Sequence, residues 1–230
     1  MFEGFSFFSK SLEVFSQASE GAEEIETLSG GTQQSGLTAG TKVATSQGWL
    51  AVGDLKPGDH VLTFDAGLQT VTQIVRETPW IDAANCPQAL WPLEVPAGAF
   101  GNADPFHMLC SQNIMVESDA AEDMFGDPFS LIPASALLGL RGIEQVPPKD
   151  SMEIVHVYFG EEQVVFGEHG ALYLCPSSRD MVDAALHGAN DPLYSILPFA
   201  EARIIASSLG EDMASISGEV PQDILGAAYA

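Results

Sequence analysis

The sequence predicts a mainly β domain carrying about three short helices. Two observations lead to this. Runs rich in Val, Ile, Thr and Phe recur along the chain, each short and each bounded by Gly, Pro or acids. The composition is that of a folded chain: 46% of the 230 residues are hydrophobic and the mean hydropathy is +0.12. A chain of this length holds one sizeable core with room for tails.

The first 35 residues open with aromatics, "MFEGFSFFSKSLEVF", and end in "LSGGTQQSG", a Gly/Ser/Thr/Gln stretch that reads as a linker. "SKSLEVFSQASEGAEEIETL" holds at most one short helix of weak periodicity. From Thr41 the signals are those of strands: "TKVAT", then "WLAVGDL", then "KPGDHVLTFD", where Pro57-Gly58 turns the chain into "HVLTF". "AGLQTVTQIVRETPW" follows a glycine turn in near alternation, and "LWPLEVPAGAFG", "FHMLCSQNIMVES", "SMEIVHVYFG" and "EQVVFGEHGALYL" continue the series. Three helices are expected, at residues 133–140, at 178–187 with Ser178 as N-cap and Gly188 beyond the end, and near 199–209. The acidic stretch "ESDAAEDMFGD" reads as a solvated loop.

Charge excludes whole classes of partner. With 8 basic and 32 acidic residues the formal net charge is -24, so the chain repels phosphate backbones and anionic lipid faces. No apolar run approaches the roughly 18 to 20 residues that span a bilayer. Neither nucleic acid nor membrane is expected as a partner, which leaves an unidentified protein. The N-terminus lacks the basic leader and small-residue cleavage site of a signal peptide. The C-terminal "SLGEDMASISGEVPQDILGAAYA" has the acidic, small-residue composition shared by uncleaved export signals and by frayed tails. Two locations fit these ends, the cytoplasm or export without a cleaved N-terminal signal.

Cys86, Cys110 and Cys175 show no CxxC spacing and are expected as small hydrophobes. His60, His107, His156, His169 and His187 are scattered, without the spacing of a zinc site. The acids of residues 117–127 lack the calcium-loop pattern, and no P-loop, dinucleotide fingerprint or G-x-S-x-G occurs. No metal and no cofactor is expected. Trp49, Trp80 and Trp91 read as β packing, and Asp54 and Asp59 sit in Gly-Asp turns where carboxylates accept backbone N–H bonds.

"GLTAGT", "VATSQG" and "VGDLKPGDHVLTFDAGLQ", followed by "WPLEVPAGAFGN", "GDPFSLIPASALLGLRGI" and "VHVYFGEEQVVFGEHGALYLCP", occur in the order of a known family. The chain resembles the Hedgehog/intein (Hint) domains, in particular their bacterial stand-alone branch. The likeness covers residues 36–206, leaving 1–35 as leader and linker and 207–230 as an acidic tail. It implies a compact β disc with two halves about a pseudo-two-fold axis and the first residue near the centre. It also implies descent from autoprocessing or protein-splicing domains, which cleave by an acyl shift. A hydroxyl or thiol on the first residue attacks the carbonyl just upstream, and a histidine protonates the departing amide nitrogen.

Measured against that pattern the chain is degenerate. Gly36 stands at the first position and has no side chain. Asn113 stands where the proton-donating imidazole is expected, and asparagine does not exchange protons near neutral pH. His156 matches a family histidine, but Glu162 replaces another in the adjacent cluster. Thr38 lies on the favoured face with the wrong ring size for attack. Ser35 keeps a hydroxyl one residue early and is the candidate substitute nucleophile, although a one-residue shift turns it to the opposite face. Cys110 is a thiol near the old centre, better read as buried. No terminal His-Asn pair supports the C-terminal half of splicing. The expectation is a domain that no longer cleaves itself and acts as a structural or binding module, with His156 a strand residue. The alternative is an active self-cleaving domain that releases its leader through a non-standard nucleophile.

Overall fold

The computed structural model describes residues 36–80, 85–178 and 193–212. Residues 1–35, Ser35 among them, the residues beyond 212 and nearly all of the helix expected at 178–187 lie outside them.

The described residues form fourteen strands. The first half contributes β1 (Leu37–Thr38), β2 (Lys42–Thr45), β3 (Gly48–Ala51), β4 (His60–Thr63), β5 (Gly67–Thr70), β6 (Gln73–Glu77) and β7 (Leu93–Val95). The second contributes β8 (Phe106–Met108), β9 (Asn113–Glu117), β10 (Phe129–Pro133), β11 (Glu144–Gln145), β12 (Ile154–Tyr158), β13 (Gln163–Phe166) and β14 (Leu172–Cys175). Every ladder between them is antiparallel. One three-stranded sheet runs β1-β12-β6 and another β11-β7-β8; the large sheet runs β10-β9-β14-β13-β4-β2-β3, with β5 paired to β4. This is the mainly β fold read from the sequence. Pro57-Gly58 turns as expected: Gly58 has φ +99, a left-handed value that glycine adopts freely, and Asp59 Oδ2 accepts from Lys56 N at 2.8 Å.

The large sheet is buried on both faces where it matters most. On one side Ile114 faces Ile132 and Val165 faces Tyr173, and these side chains join the main core with Leu55, Leu93, Phe100 and Phe159. On the other side Met115 faces Leu131 and Val164 faces Leu174, forming a second cluster on which Tyr194 and Ile196 pack. That is why "NIMVE" and "QVVF" are continuous apolar runs rather than alternating ones. Leu197 N donates to Leu131 O at 2.9 Å, so residues 193–197 lie along the second face.

The helices differ from expectation in two places. Residues 117–127 are not a solvated loop: α1 spans Asp119–Phe125. Ser118 accepts from Ala120 N as N-cap, Asp119 and Glu122 complement the positive helix start, and Gly126 ends it at φ 78. Local capping thus folded a stretch whose acidity alone suggested a loop. Residues 133–140 are not an α-helix either. Pro133 ends β10 and only a 3-10 turn follows at Ala134–Leu137, because Leu138 leaves helical geometry at ψ 129, its N–H donating to Ser135 O, and Gly139 turns left-handed at φ 80. The third expected helix is present as α2, Phe199–Asp212. Its buried Ala202, Ile205, Ala206 and Leu209 follow the spacing of one helical face, and Arg203 Nη1 donates to Ala136 O and Leu138 O at 2.7 Å each. Among the described residues no helix is long and apolar enough to cross a membrane.

Ser118 joins the two helices, its Oγ lying 3.0 Å from Ser208 Oγ. Ser118→Ala removes both the cap and this bond and is expected to cost about 1 kcal/mol, measured as a lower urea midpoint with an unchanged slope.

Candidate functional site

Two strands decide where residue 36 lies. β1 pairs with β12 through Leu37↔Val155 and Thr38↔Ile154, so Gly36 stands across from His156 at the next step of the register. Strand alternation sends Leu37, Val155 and Val157 into the core, and puts Gly36, Thr38, Ile154 and His156 together on the other face. On the far side of β12, β6 pairs Val75 with His156 and Glu77 with Ile154, which brings Glu77 onto the same face.

The geometry is tight. Gly36 is buried, and a Cβ built on it would lie 2.5 Å from Ile154 Cγ2, 3.0 Å from His156 Cε1 and 3.2 Å from His156 Nδ1. His156 is 7% exposed, and its Nε2 lies 2.9 Å from Glu77 Oε1; an ionised carboxylate only accepts, so the imidazole donates. Thr38 Oγ1 lies 2.8 Å from Thr41 Oγ1 and 3.4 Å from His107 O, which ties β1 to β8. Arg76 Nη2 donates to Gly53 O and Leu55 O at 3.0 Å and holds β6 against the turn after β3.

An imidazole whose other nitrogen is oriented by a carboxylate is the base half of a nucleophilic constellation. Residue 36 beside it is a glycine and itself carries no hydroxyl or thiol. Cys110 does not supply a thiolate. Its Sγ donates to Trp91 O at 3.1 Å, and burial pushes its pKa up to about 11, which keeps it a thiol near neutral pH. Cys175 is fully buried with its pKa pushed up to about 12 by burial, and Cys86 is partly exposed; all three are free. Among the described residues no group of three His, Cys, Asp or Glu is placed to hold a metal ion.

The residues singled out in the sequence therefore separate. Gly36, Thr38 and His156 share one face of the small sheet. Asn113 belongs to the large sheet, across from Pro133 and 2% exposed, and Gln112 Nε2 donates to its backbone oxygen at 2.7 Å and to Leu174 O at 2.9 Å. Glu162 accepts from Leu193 N at 3.0 Å and from Tyr194 N at 3.4 Å, so its carboxylate anchors residues 193–194, beside the bond from Tyr194 Oη to Asp65 Oδ2 at 2.7 Å. Glu77 and Ile154 were not singled out. Both lay in strands recognised as such, but only the pairing of β6, β12 and β1 brings them to residue 36.

A family model described as "Hint domain" matches residues 35–172. The chain belongs to the Hint domain family. Solved structures similar to this Hint domain include the gp41-1 intein, at 13% identity over 63% of this chain and 100% of that one with a TM-score of 0.37. A bacterial intein-like domain from Clostridium thermocellum is similar at 14% identity, over 63% and 99% of the two chains, with a TM-score of 0.36. A splice-inactive variant of the AceL NrdHF class 3 split intein shows 17% identity over 63% and 99%, with a TM-score of 0.35. No curated protein matches the chain.

Replacing Glu162 tests its anchoring contacts. Glu162→Ala is expected to speed amide exchange at Leu193 and Tyr194 selectively. Because these bonds are exposed or part-buried, the stability loss should stay within about 1 kcal/mol.

Proposed function

We propose that this Hint domain no longer cleaves its own chain and serves as a structural or protein-binding module. The single observation that carries the reading is Gly36, where the family's acyl shift needs a nucleophile. Side-chain-driven acyl transfer has no attacking atom there, and the closeness of Ile154 Cγ2 to the missing Cβ means that the site has little room for one. Asn113 supports the reading from a second side, since an amide does not supply a proton to a leaving amine. On this reading the domain comprises residues 36–206, the leader 1–35 stays attached, and the net charge of -24 directs the module to protein partners rather than nucleic acid or anionic membranes.

The rival reading keeps the domain active, releasing the leader through Ser35. It draws on the His156–Glu77 pair, an oriented imidazole beside residue 36. Intact-mass spectrometry of purified full-length protein, with and without thiol or hydroxylamine, separates the two. The silent reading expects one mass that is stable over days. Accumulation of fragments split near residue 35, and their faster appearance with hydroxylamine, would establish the rival.

A further inference from the structure

The space beside residue 36 is closed by one atom more than by any other. A Cβ there would lie 2.5 Å from Ile154 Cγ2, whereas the imidazole stands back at 3.0 Å or more. Ile154 is completely buried in the central strand of its sheet, between Thr38 and Glu77. Its branched Cβ leaves few χ1 choices, so Cγ2 cannot swing aside as the end of a long side chain would. The imidazole is held from its far nitrogen by Glu77, and its near edge, Cε1 and Nδ1, faces the position a side chain would enter.

We propose that Gly36 and Ile154 form a coupled steric lock, and that a side chain at residue 36 is admitted beside the His156–Glu77 pair only when Ile154 gives up its Cγ2 position. Ile154 is thus a positioning residue: it controls the site through the room it leaves. The proposal deepens the silent reading of residue 36, on which its functional meaning rests. It implies that restoring a nucleophile takes two substitutions, one for the missing atom and one for the space.

The lock is read by a melting cycle on the full chain: the parent protein, Gly36→Ala, Ile154→Leu and the double variant. Leucine keeps the volume with a single γ carbon, and Ile154→Met provides a second unbranched replacement should the leucine variant not fold. Gly36→Ala is expected to lower the melting temperature by at least about 4 °C beside isoleucine and by less than half as much beside leucine or methionine. Equal drops in both backgrounds, or no drop beside isoleucine, overturn the lock. A second measurement locates the opened space. In Gly36→Cys/Ile154→Leu the introduced thiol, followed by peptide mapping after iodoacetamide at pH 7, is expected to react about tenfold faster than when His156→Gln is added, because a neighbouring imidazole favours the thiolate. It should also react faster than in Gly36→Cys alone. Indifference to His156 would show that the space does not open onto the imidazole. The two readings fail separately: a parent protein that cuts itself sinks the silent assignment and leaves the coupling standing, whereas additive melting shifts sink the coupling and leave the silent assignment standing.

Discussion

The two-residue ladder between β1 and β12 is the constraint on which the candidate site depends. It is short, yet it fixes which side of the chain faces the core and which faces the imidazole, because strand side chains alternate with a period of two. Leu37 and Val155 hold the register by burial, at 3% and 0% exposure. A one-residue slip of β1 would turn Leu37 out of the core and Gly36 away from His156. Ala39 N donating to Glu153 O at 2.9 Å extends the contact beyond the ladder, and Gly53 N donating to Ala39 O at 2.9 Å pins the turn that follows. The position of residue 36 is therefore set by the pairing and packing of its neighbours.

The large sheet accounts for the polar groups placed at Gln112 and Glu162. With apolar clusters on both faces, a polar group entering that sheet must meet its hydrogen-bonding needs locally or destabilise it. Gln112 does so by bridging Asn113 O and Leu174 O, which stitches β9 to β14 beside the ladder itself. Glu162 turns its carboxylate to the N–H groups at residues 193 and 194, where the chain returns to cover the second face. These contacts account for Gln112 and Glu162 in terms of fold.

Most of the architecture was legible because strand signals here are local. "HVLTF" after Pro57-Gly58 and "SMEIVHVYFG" became β4 and β12, since β-branched runs between turn residues leave few alternatives. Where reading failed, a short-range cue was outweighed. Ser118 and Gly126 bracket α1 with a cap and a left-handed stop, but the acids between them pointed to solvent, and α1 sits with Ala121 buried. At residues 133–140 the small and apolar composition suited a helix, while Leu138 turns extended and Gly139 left-handed after a single 3-10 turn. The site was legible only in part. Gly36 and His156 stood out by their place in a motif, but Glu77 and Ile154 are ordinary strand residues until register sets them beside residue 36. Register is a long-range property, spanning 79 positions between Glu77 and His156, and no local pattern encodes it.

The survival of an oriented histidine beside a position without a nucleophile calls for a physical account, since it invites the conclusion that chemistry persists. His156 lies in a strand whose neighbours Val155 and Val157 are buried, and is itself 7% exposed. An imidazole in such a place carries two polar nitrogens that water reaches poorly, and leaving one unpaired costs about 1–3 kcal/mol. Glu77, on the edge strand and partly open to solvent, satisfies Nε2 while keeping its own charge hydrated. The pair thus maintains itself energetically whether or not a proton is ever transferred, and loss of either partner would be felt in the fold. Residue 36 has no such tie: a side chain there finds Ile154 in its way, and glycine finds none. The His156–Glu77 contact is therefore one that the fold maintains by itself, and its presence alone does not call for a reaction.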